Sequence, residues 1–366
     1  MTAPALSTGP SASVGAPAPS PAGTGAPVSP GGTEAPVSPG GAAAPSKLVP
    51  GGLARGTGEP EDAELGLGDR AYRSSDLTAA RAHYEAAAKL GPKDPAPQVG
   101  RIRVKIASAG MSMDYAAVPK DPRVRTLLAE LDGLLVKNPD FGPAHVERGR
   151  LLLVQGKADA ALAALERGAA LAADDPEAQS ALGVALLATG RAEPALERLK
   201  RAAALDPDDA ERLTNLGTAL MMRGRVDEAV VAYRRAVDLT PNDPRALSDL
   251  GTAYLSANRA SDAKPYLDRA VGLAPDRATF LSNLGYAQHQ LGDIAGAIAT
   301  YQRAIEKDPK LGSAWINLGS AFVDQGRLDD AERAFKKAVE LDPTDPRPKA
   351  NLEDLAEIRK KSGKSP

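Results

Sequence analysis

Three histidines, no cysteine and many paired carboxylates are the residues of this sequence that could do chemistry. Without cysteine there is no disulfide, no thiolate metal site and no thiol nucleophile. His83, His145 and His289 are too far apart to pair at i, i+3 or i+4 on a helix, so no metal-ligand spacing arises. Acidic pairs such as Asp174-Asp175 and Asp208-Asp209 stand just before apolar periodic runs. There carboxylates cap free N–H groups and meet the positive end of a helix dipole, which is a structural use. No Gly-x-Gly-x-x-Gly follows a strand, and neither a phosphate-binding loop nor a nucleophile elbow occurs. The expectation is therefore no catalytic, cofactor-binding or metal-ligating residue, no cofactor, and a chain that is not an enzyme.

One constellation does carry binding chemistry. Asn215, Asp249, Asn283, Asn317 and Asn351 recur at a step of 34 residues. An amide both donates and accepts, so it can bond a peptide backbone whatever that peptide's sequence. Repeated along one face, such amides would track an extended chain. Thr218, Thr252, Tyr286, His289 and Arg223 are expected on the same face, and Asp249 adds a negative charge that favours a basic or amide-rich ligand there. The other reading is that the amides stabilise packing between repeats, and the sequence leaves both open.

The elements that position this row come from the same period. Leu182-Gly183, Leu216-Gly217, Leu250-Gly251, Leu284-Gly285 and Leu318-Gly319 are spaced by 34 residues without insertion or deletion. A fixed period of this size means stacked repeats. Within the unit that starts at Ala210, Leu213, Leu216, Gly217 and Leu220 mark one face of a first helix, A. Gly224 stops it in the left-handed conformation. Ala229, Tyr233, Ala236 and Val237 mark one face of a second helix, B, and Pro241 prevents its continuation. Gly217 and Ala229 are expected where A and B come closest, and Ala236 where B meets the next A; larger side chains there would overpack. Asn258 replaces the inter-helix glycine, since asparagine also tolerates left-handed backbone. Pro265 falls early in a helix B and predicts a local distortion without a break.

These residues resemble the tetratricopeptide repeat family, closely over 142–345 as six regular units and more loosely over 61–141. The resemblance implies an all-α fold, a right-handed α-solenoid of helical hairpins whose helices A line a concave groove. The amide row is similar to the asparagine ladder of the repeat domain in O-GlcNAc transferases. Co-chaperones of this family that grip acidic C-termini need a Lys and an Asn where this chain has Leu65 and Asp69, so that clamp is not expected.

Around the regular units, Gly68, Ala80, Tyr84, Ala87 and Pro92 fit an early unit. The unit after it is stretched: a first helix over about 95–108, an insertion near 109–122 carrying Met111, Met113 and Tyr115, and a second helix to about Lys137. Residues 346–366 read as a capping helix and basic tail, with Leu352 and Leu355 covering the last hairpin. Residues 1–60 are mostly Ala, Pro, Gly and Ser, a composition that cannot offset the entropy of ordering, so a disordered N-terminal tail is expected. On that reading a chain beginning at Glu61 keeps the stability of the whole.

The net charge of −2 steers the chain neither to nucleic acid nor to anionic lipid. No signal peptide and no 18-residue apolar run can be read, which predicts a cytoplasmic protein without membrane insertion. The Ala-, Pro- and Gly-rich composition points to a GC-rich bacterium. The expected function is a protein–protein interaction scaffold or adaptor that binds a partner or extended peptide in the groove. The alternatives are a regulatory or substrate-recognition subunit of an enzyme complex, for example a glycosyltransferase-associated one, or an assembly factor of a bacterial envelope or motility complex. The sequence names no partner and sets no oligomeric state.

Overall fold

The computed structural model describes residues 48–109 and 122–361, which hold seventeen helices and no strand. The chain divides into two compact units at Pro207 and Asp208.

The N-terminal unit holds α1 (Pro60–Arg73), α2 (Leu77–Leu90), α3 (Ala96–Ser108), α4 (Pro122–Lys137), α5 (Gly142–Val154), α6 (Ala158–Leu171), α7 (Pro176–Ala188) and α8 (Ala192–Leu205). The C-terminal unit holds α9 (Ala210–Met222), α10 (Val226–Leu239), α11 (Pro244–Ser256), α12 (Ala260–Leu273), α13 (Ala278–Gln290), α14 (Ile294–Lys307), α15 (Gly312–Asp324), α16 (Leu328–Leu341) and α17 (Pro346–Lys361). Odd-numbered helices are the A helices and even-numbered ones the B helices. Inside the C-terminal unit α9, α11, α13 and α15 each pack on the B helix that follows, α11, α13, α15 and α17 on the B helix that precedes, and successive A helices touch one another. The A helices α1, α3, α5 and α7 likewise follow one another in the N-terminal unit.

The hairpins close where the sequence places small and left-handed residues. Gly224 has φ 69°, and Asn258, in the equivalent turn, has φ 57°. Ser75 takes the same turn in the first hairpin with φ 64°. A methyl group on Gly217 would stand 2.7 Å from the Tyr233 ring, so the glycine is what lets α9 settle on the aromatic side chain of α10. Ala229, Ala236, Ala263, Ala270, Ala297 and Ala304 are fully buried at the helix contacts. Asp175, Asp209 and Asp243 cap α7, α9 and α11 by accepting from the N–H groups of Glu177, Arg212 and Arg245.

α12 runs unbroken through Pro265. α3 and α4 match the two helices of the stretched unit; Met111, Met113 and Tyr115 lie outside the described residues. α17 spans the capping helix and buries Leu355. The lone tryptophan, Trp315, lies on α15, where its Nε1–H donates to the Pro309 carbonyl at 3.0 Å. Residues 1–47 lie outside the described residues, but 48–59 do not. The expected disordered tail therefore runs too far: residues 53–57 are held by side chains of α1, and the expectation that everything before residue 61 adds nothing to the core fails at Leu53, which is only 3% exposed.

Candidate peptide-binding face

The five ladder residues fall one on each A helix of the C-terminal unit, from Asn215 on α9 to Asn351 on α17. The four asparagines are buried, from 5% exposed at Asn215 and Asn283 to 0% at Asn351. Buried to this degree, they do not stand free on the surface. Asn283 Nδ2 donates to Thr252 Oγ1 at 2.9 Å, tying α13 to α11, and the Thr252 hydroxyl donates to the Ser248 carbonyl at 2.8 Å. Two amide atoms, Asn283 Oδ1 and Asn317 Nδ2, are buried without a hydrogen-bond partner among the described residues. An orphaned buried polar atom typically costs ~1–3 kcal/mol.

Of the other members, Thr218, Thr252, His289 and Arg223 keep more contact with solvent. Thr218 is half-buried, donates to the Thr214 carbonyl at 3.1 Å and lies 3.0 Å from the Tyr233 hydroxyl. His289 Nε2 meets Asp324 Oδ2 at 2.7 Å, joining α13 to α15. Tyr286 is buried at 7% exposure, and Arg223 is exposed at the C-terminal end of α9. Asp249 keeps some exposure as a residue, yet its carboxyl is enclosed. Burial pushes that carboxyl up to about 7; Arg245 opposes the shift and Asp243 adds to it. Burial raises the Tyr233 phenol as well, with Asp249 contributing.

A second, more elaborate arrangement lies on the A-helix face of the N-terminal unit. Residues 50–57 form neither helix nor strand and lie across α1 and α3; the chain turns at Pro50 and Gly51, where the Gly52 N–H donates to the Val49 carbonyl at 2.9 Å, and Gly51 and Gly56 take left-handed backbone (φ 74° and 73°). Asp69 Oδ2 accepts from the backbone N–H groups of Leu53 (2.7 Å) and Ala54 (2.9 Å). Asp62 accepts from those of Arg55 (2.6 Å) and Thr57 (2.8 Å). In the other direction Arg73 donates to the Pro50 carbonyl at 3.1 Å and Arg103 to the Gly51 carbonyl at 3.3 Å. Side chains thus hold six backbone groups of this segment. Asp62, Leu65, Gly66 and Asp69 share one buried face of α1 at helical spacing, and Leu53 packs into the same core. The Arg55 guanidinium pairs with Asp94 at the rim.

Beneath the segment Arg103 pairs with Glu147 at 2.7 Å, both nearly excluded from water. Burial opposes the charge on Arg103, but Glu147 and Glu177 hold its guanidinium above the usual arginine range. Arg150 adds to the network, 3.7 Å from Glu147 and paired with Glu177. Asp69 also accepts from the Tyr84 hydroxyl at 3.0 Å, so the carboxylate is fixed on both oxygens. Sequence reasoning missed this arrangement. The signal was the return of Leu48, Val49, Leu53 and Arg55 after a long Ala-Pro-Gly-Ser run, hidden by averaging over the first sixty residues.

A separate cleft of about 480 Å³ is lined by Arg234, Tyr254, Arg259, Tyr266 and Arg269, with the two tyrosine rings stacked at 5.8 Å. Among the described residues no group of three or more His, Asp or Glu side chains could hold a metal ion, and no helix is long and apolar enough to cross a membrane.

Comparison with known proteins agrees with this architecture. A family model described as tetratricopeptide repeat matches residues 53–97, 146–210, 181–244 and 248–312, and a second of the same description matches 288–355. No curated protein matches the chain. Among solved structures, the crystal structure of the APC/C hetero-tetramer Cut9–Hcn1 aligns with a TM-score of 0.62 at 15% identity, over 82% of this chain and 57% of that one. At that identity the likeness is one of fold. Residues 41 to the end of MamA from Desulfovibrio magneticus RS-1 align at 27% identity over 46% of this chain and 96% of that one, TM-score 0.42. A thermophilic repeat protein of Thermus thermophilus aligns at 26% identity over 49% and 98%, TM-score 0.44.

Proposed function

Because the chain belongs to the tetratricopeptide repeat family, we propose that it is a cytoplasmic protein-interaction scaffold whose A-helix faces take extended segments of partner proteins. The observation that carries this reading is residues 50–57 on the N-terminal unit. There a stretch outside any helix or strand is held on an A-helix face through its own carbonyl and N–H groups, by Asp62, Asp69, Arg73 and Arg103. In the C-terminal unit we assign the same task to the row Asn215, Asp249, Asn283, Asn317 and Asn351, with Thr218, Thr252, Tyr286, His289 and Arg223 beside it. The half-exposed members make first contact, and the orphaned amide atoms of Asn283 and Asn317 gain partners when a backbone settles over them. Such a ligand is a protein segment, whose backbone an amide can both donate to and accept from.

The test is a peptide selected from a random display library on the full chain, measured again on the Asn283→Ala/Asn317→Ala double variant. Loss of two amide contacts weakens binding by roughly 1–3 kcal/mol, or about 5- to 150-fold. The thermal melt of the same variant is recorded alongside. A destabilised variant that binds normally at a temperature where it is folded sinks the ladder and leaves the amides a packing role.

A further inference from the structure

We propose that residues 50–57 are a tethered ligand of their own repeat domain: a displaceable occupant that keeps the N-terminal face closed until a partner segment of the same chemistry competes it off. The inference rests on the reading of A-helix faces as peptide sites and adds to it a ligand class and a mode of regulation.

The mode of attachment is that of a bound peptide. Inside a folded repeat, backbone groups pair with backbone groups of the same helix. Here no helix or strand takes up the segment; apart from the Gly52 N–H, which closes a turn on the Val49 carbonyl, six of its backbone groups in eight residues go to side chains of α1 and α3. One apolar side chain, Leu53, anchors it, and one charged side chain, Arg55, pairs with Asp94 at an exposed rim. Residues 55–59 lead to α1 exposed to solvent, so the stretch can lift away without unpacking a helix.

The receiving face also sets the ligand class. Asp62 and Asp69 present two buried carboxylates, each taking two N–H groups. At Gly52 there is no room for a side chain: a Cβ would fall 2.5 Å from Asp69 Oδ2. Gly51 has φ 74°. The site therefore fits a segment that turns at two glycines and continues with an apolar residue, a small residue and a basic one. A competing partner works against a tether whose effective concentration is roughly millimolar. Its apparent affinity for the intact chain is correspondingly low until the segment is released.

The probe is a fluorescein-labelled peptide of residues 48–58, Leu-Val-Pro-Gly-Gly-Leu-Ala-Arg-Gly-Thr-Gly. Its binding is measured on the full wild-type chain and on the full chain carrying Leu53→Asp, which evicts the tethered copy. The variant should bind the peptide at least tenfold tighter than wild type, and adding Asp69→Ala to the variant should abolish binding. Equal binding to wild type and variant, or binding to neither, overturns the proposal. A second measurement does not depend on the variant folding: hydrogen exchange of the wild-type chain. The amides of Leu53, Ala54, Arg55 and Thr57 should exchange at least a hundredfold faster than the core amides of α1 and α2. Exchange as slow as in α1 would make the segment a permanent part of the fold and end the proposal. Neither measurement touches Asn283 or Asn317, so failure here leaves the reading of the C-terminal row to its own test.

Discussion

Replacing Gly52 by alanine puts a methyl carbon where there is no space for one. The new Cβ would lie 2.5 Å from Asp69 Oδ2, 2.9 Å from its Cγ and 2.9 Å from the Val49 carbonyl oxygen. Asp69 cannot swing aside cheaply, because its other oxygen accepts from the buried Tyr84 hydroxyl. The segment must lift, which costs the Leu53 and Ala54 hydrogen bonds to a charged acceptor. Each such bond contributes about 1.5–3 kcal/mol, and water recovers part of that at the half-buried Ala54. The entropy gained from a stiffer unfolded chain offsets only about 0.4–1 kcal/mol. The net expectation is a loss of about 2–4 kcal/mol in the local closing free energy. Since 1.4 kcal/mol is tenfold, amide exchange at 53 and 54 should speed up by roughly 30- to 1000-fold. Exchange mass spectrometry on the full chain reads this, with fragments of α13 and α14 as the internal standard. Gly272→Ala is the control, because nothing lies within 4 Å of the Cβ it would gain. It should leave residues 48–57 unchanged and stabilise α12 slightly. Unaltered protection at 53 and 54 in Gly52→Ala would refute the packing of the segment against Asp69.

Three further expectations follow from the same geometry. Asp249 has its pKa raised in the folded chain, so the folded state keeps its proton longer, and stability is lost as pH rises from about 4 through about 7. Asp249→Asn removes that loss; allowing for the residue's partial exposure, its melt should match wild type below about pH 4 and exceed it by ~1–2 kcal/mol at pH 8, and an equal difference at both pH values contradicts the buried carboxyl. Ala236→Leu and Ala270→Leu force side chains into fully buried contacts between α10 and α11 and between α12 and α13, and each should lower stability by about 1–3 kcal/mol by circular dichroism; unchanged melts would mean the packing register is wrong. Arg103→Met strands Glu147 with only Arg150 at 3.7 Å to compensate, for a loss of about 2–4 kcal/mol in urea unfolding; a change under about 1 kcal/mol would show that the pair is solvated.

What the sequence made legible is what repeats. The helical hairpins and the left-handed turn at Asn258 follow from a local pattern copied at one step, and local patterns are where periodicity arguments succeed. The ladder was legible as a row but not as a buried one. Whether Asn283 points up at a ligand or sideways to Thr252 depends on the separation of α11 and α13, which no single repeat encodes. The segment before α1 was illegible for a different reason. Its partners lie 16 residues away at Asp69 and 52 residues away at Arg103, and no periodicity links them. Gly51, Gly52 and Gly56, which read as signs of a flexible linker, here serve a tight fit against a carboxylate and left-handed backbone.

The position of Trp315 gives the two units different optical signatures. With this single indole on α15, tryptophan emission reports on the C-terminal unit alone, and the N-terminal unit carries only the weaker tyrosine chromophores, among them Tyr72 and Tyr84. The side chain is half-buried, and its N–H is tied to the loop carbonyl of Pro309, so the emission maximum tracks whether α14 and α15 are still joined by that turn. Far-ultraviolet dichroism, by contrast, weighs every helix equally. Recording both signals in one denaturation separates the units without cutting the chain. Coincident curves mean that the units lose structure together, and a fluorescence transition that leads or lags the dichroism gives each unit its own stability.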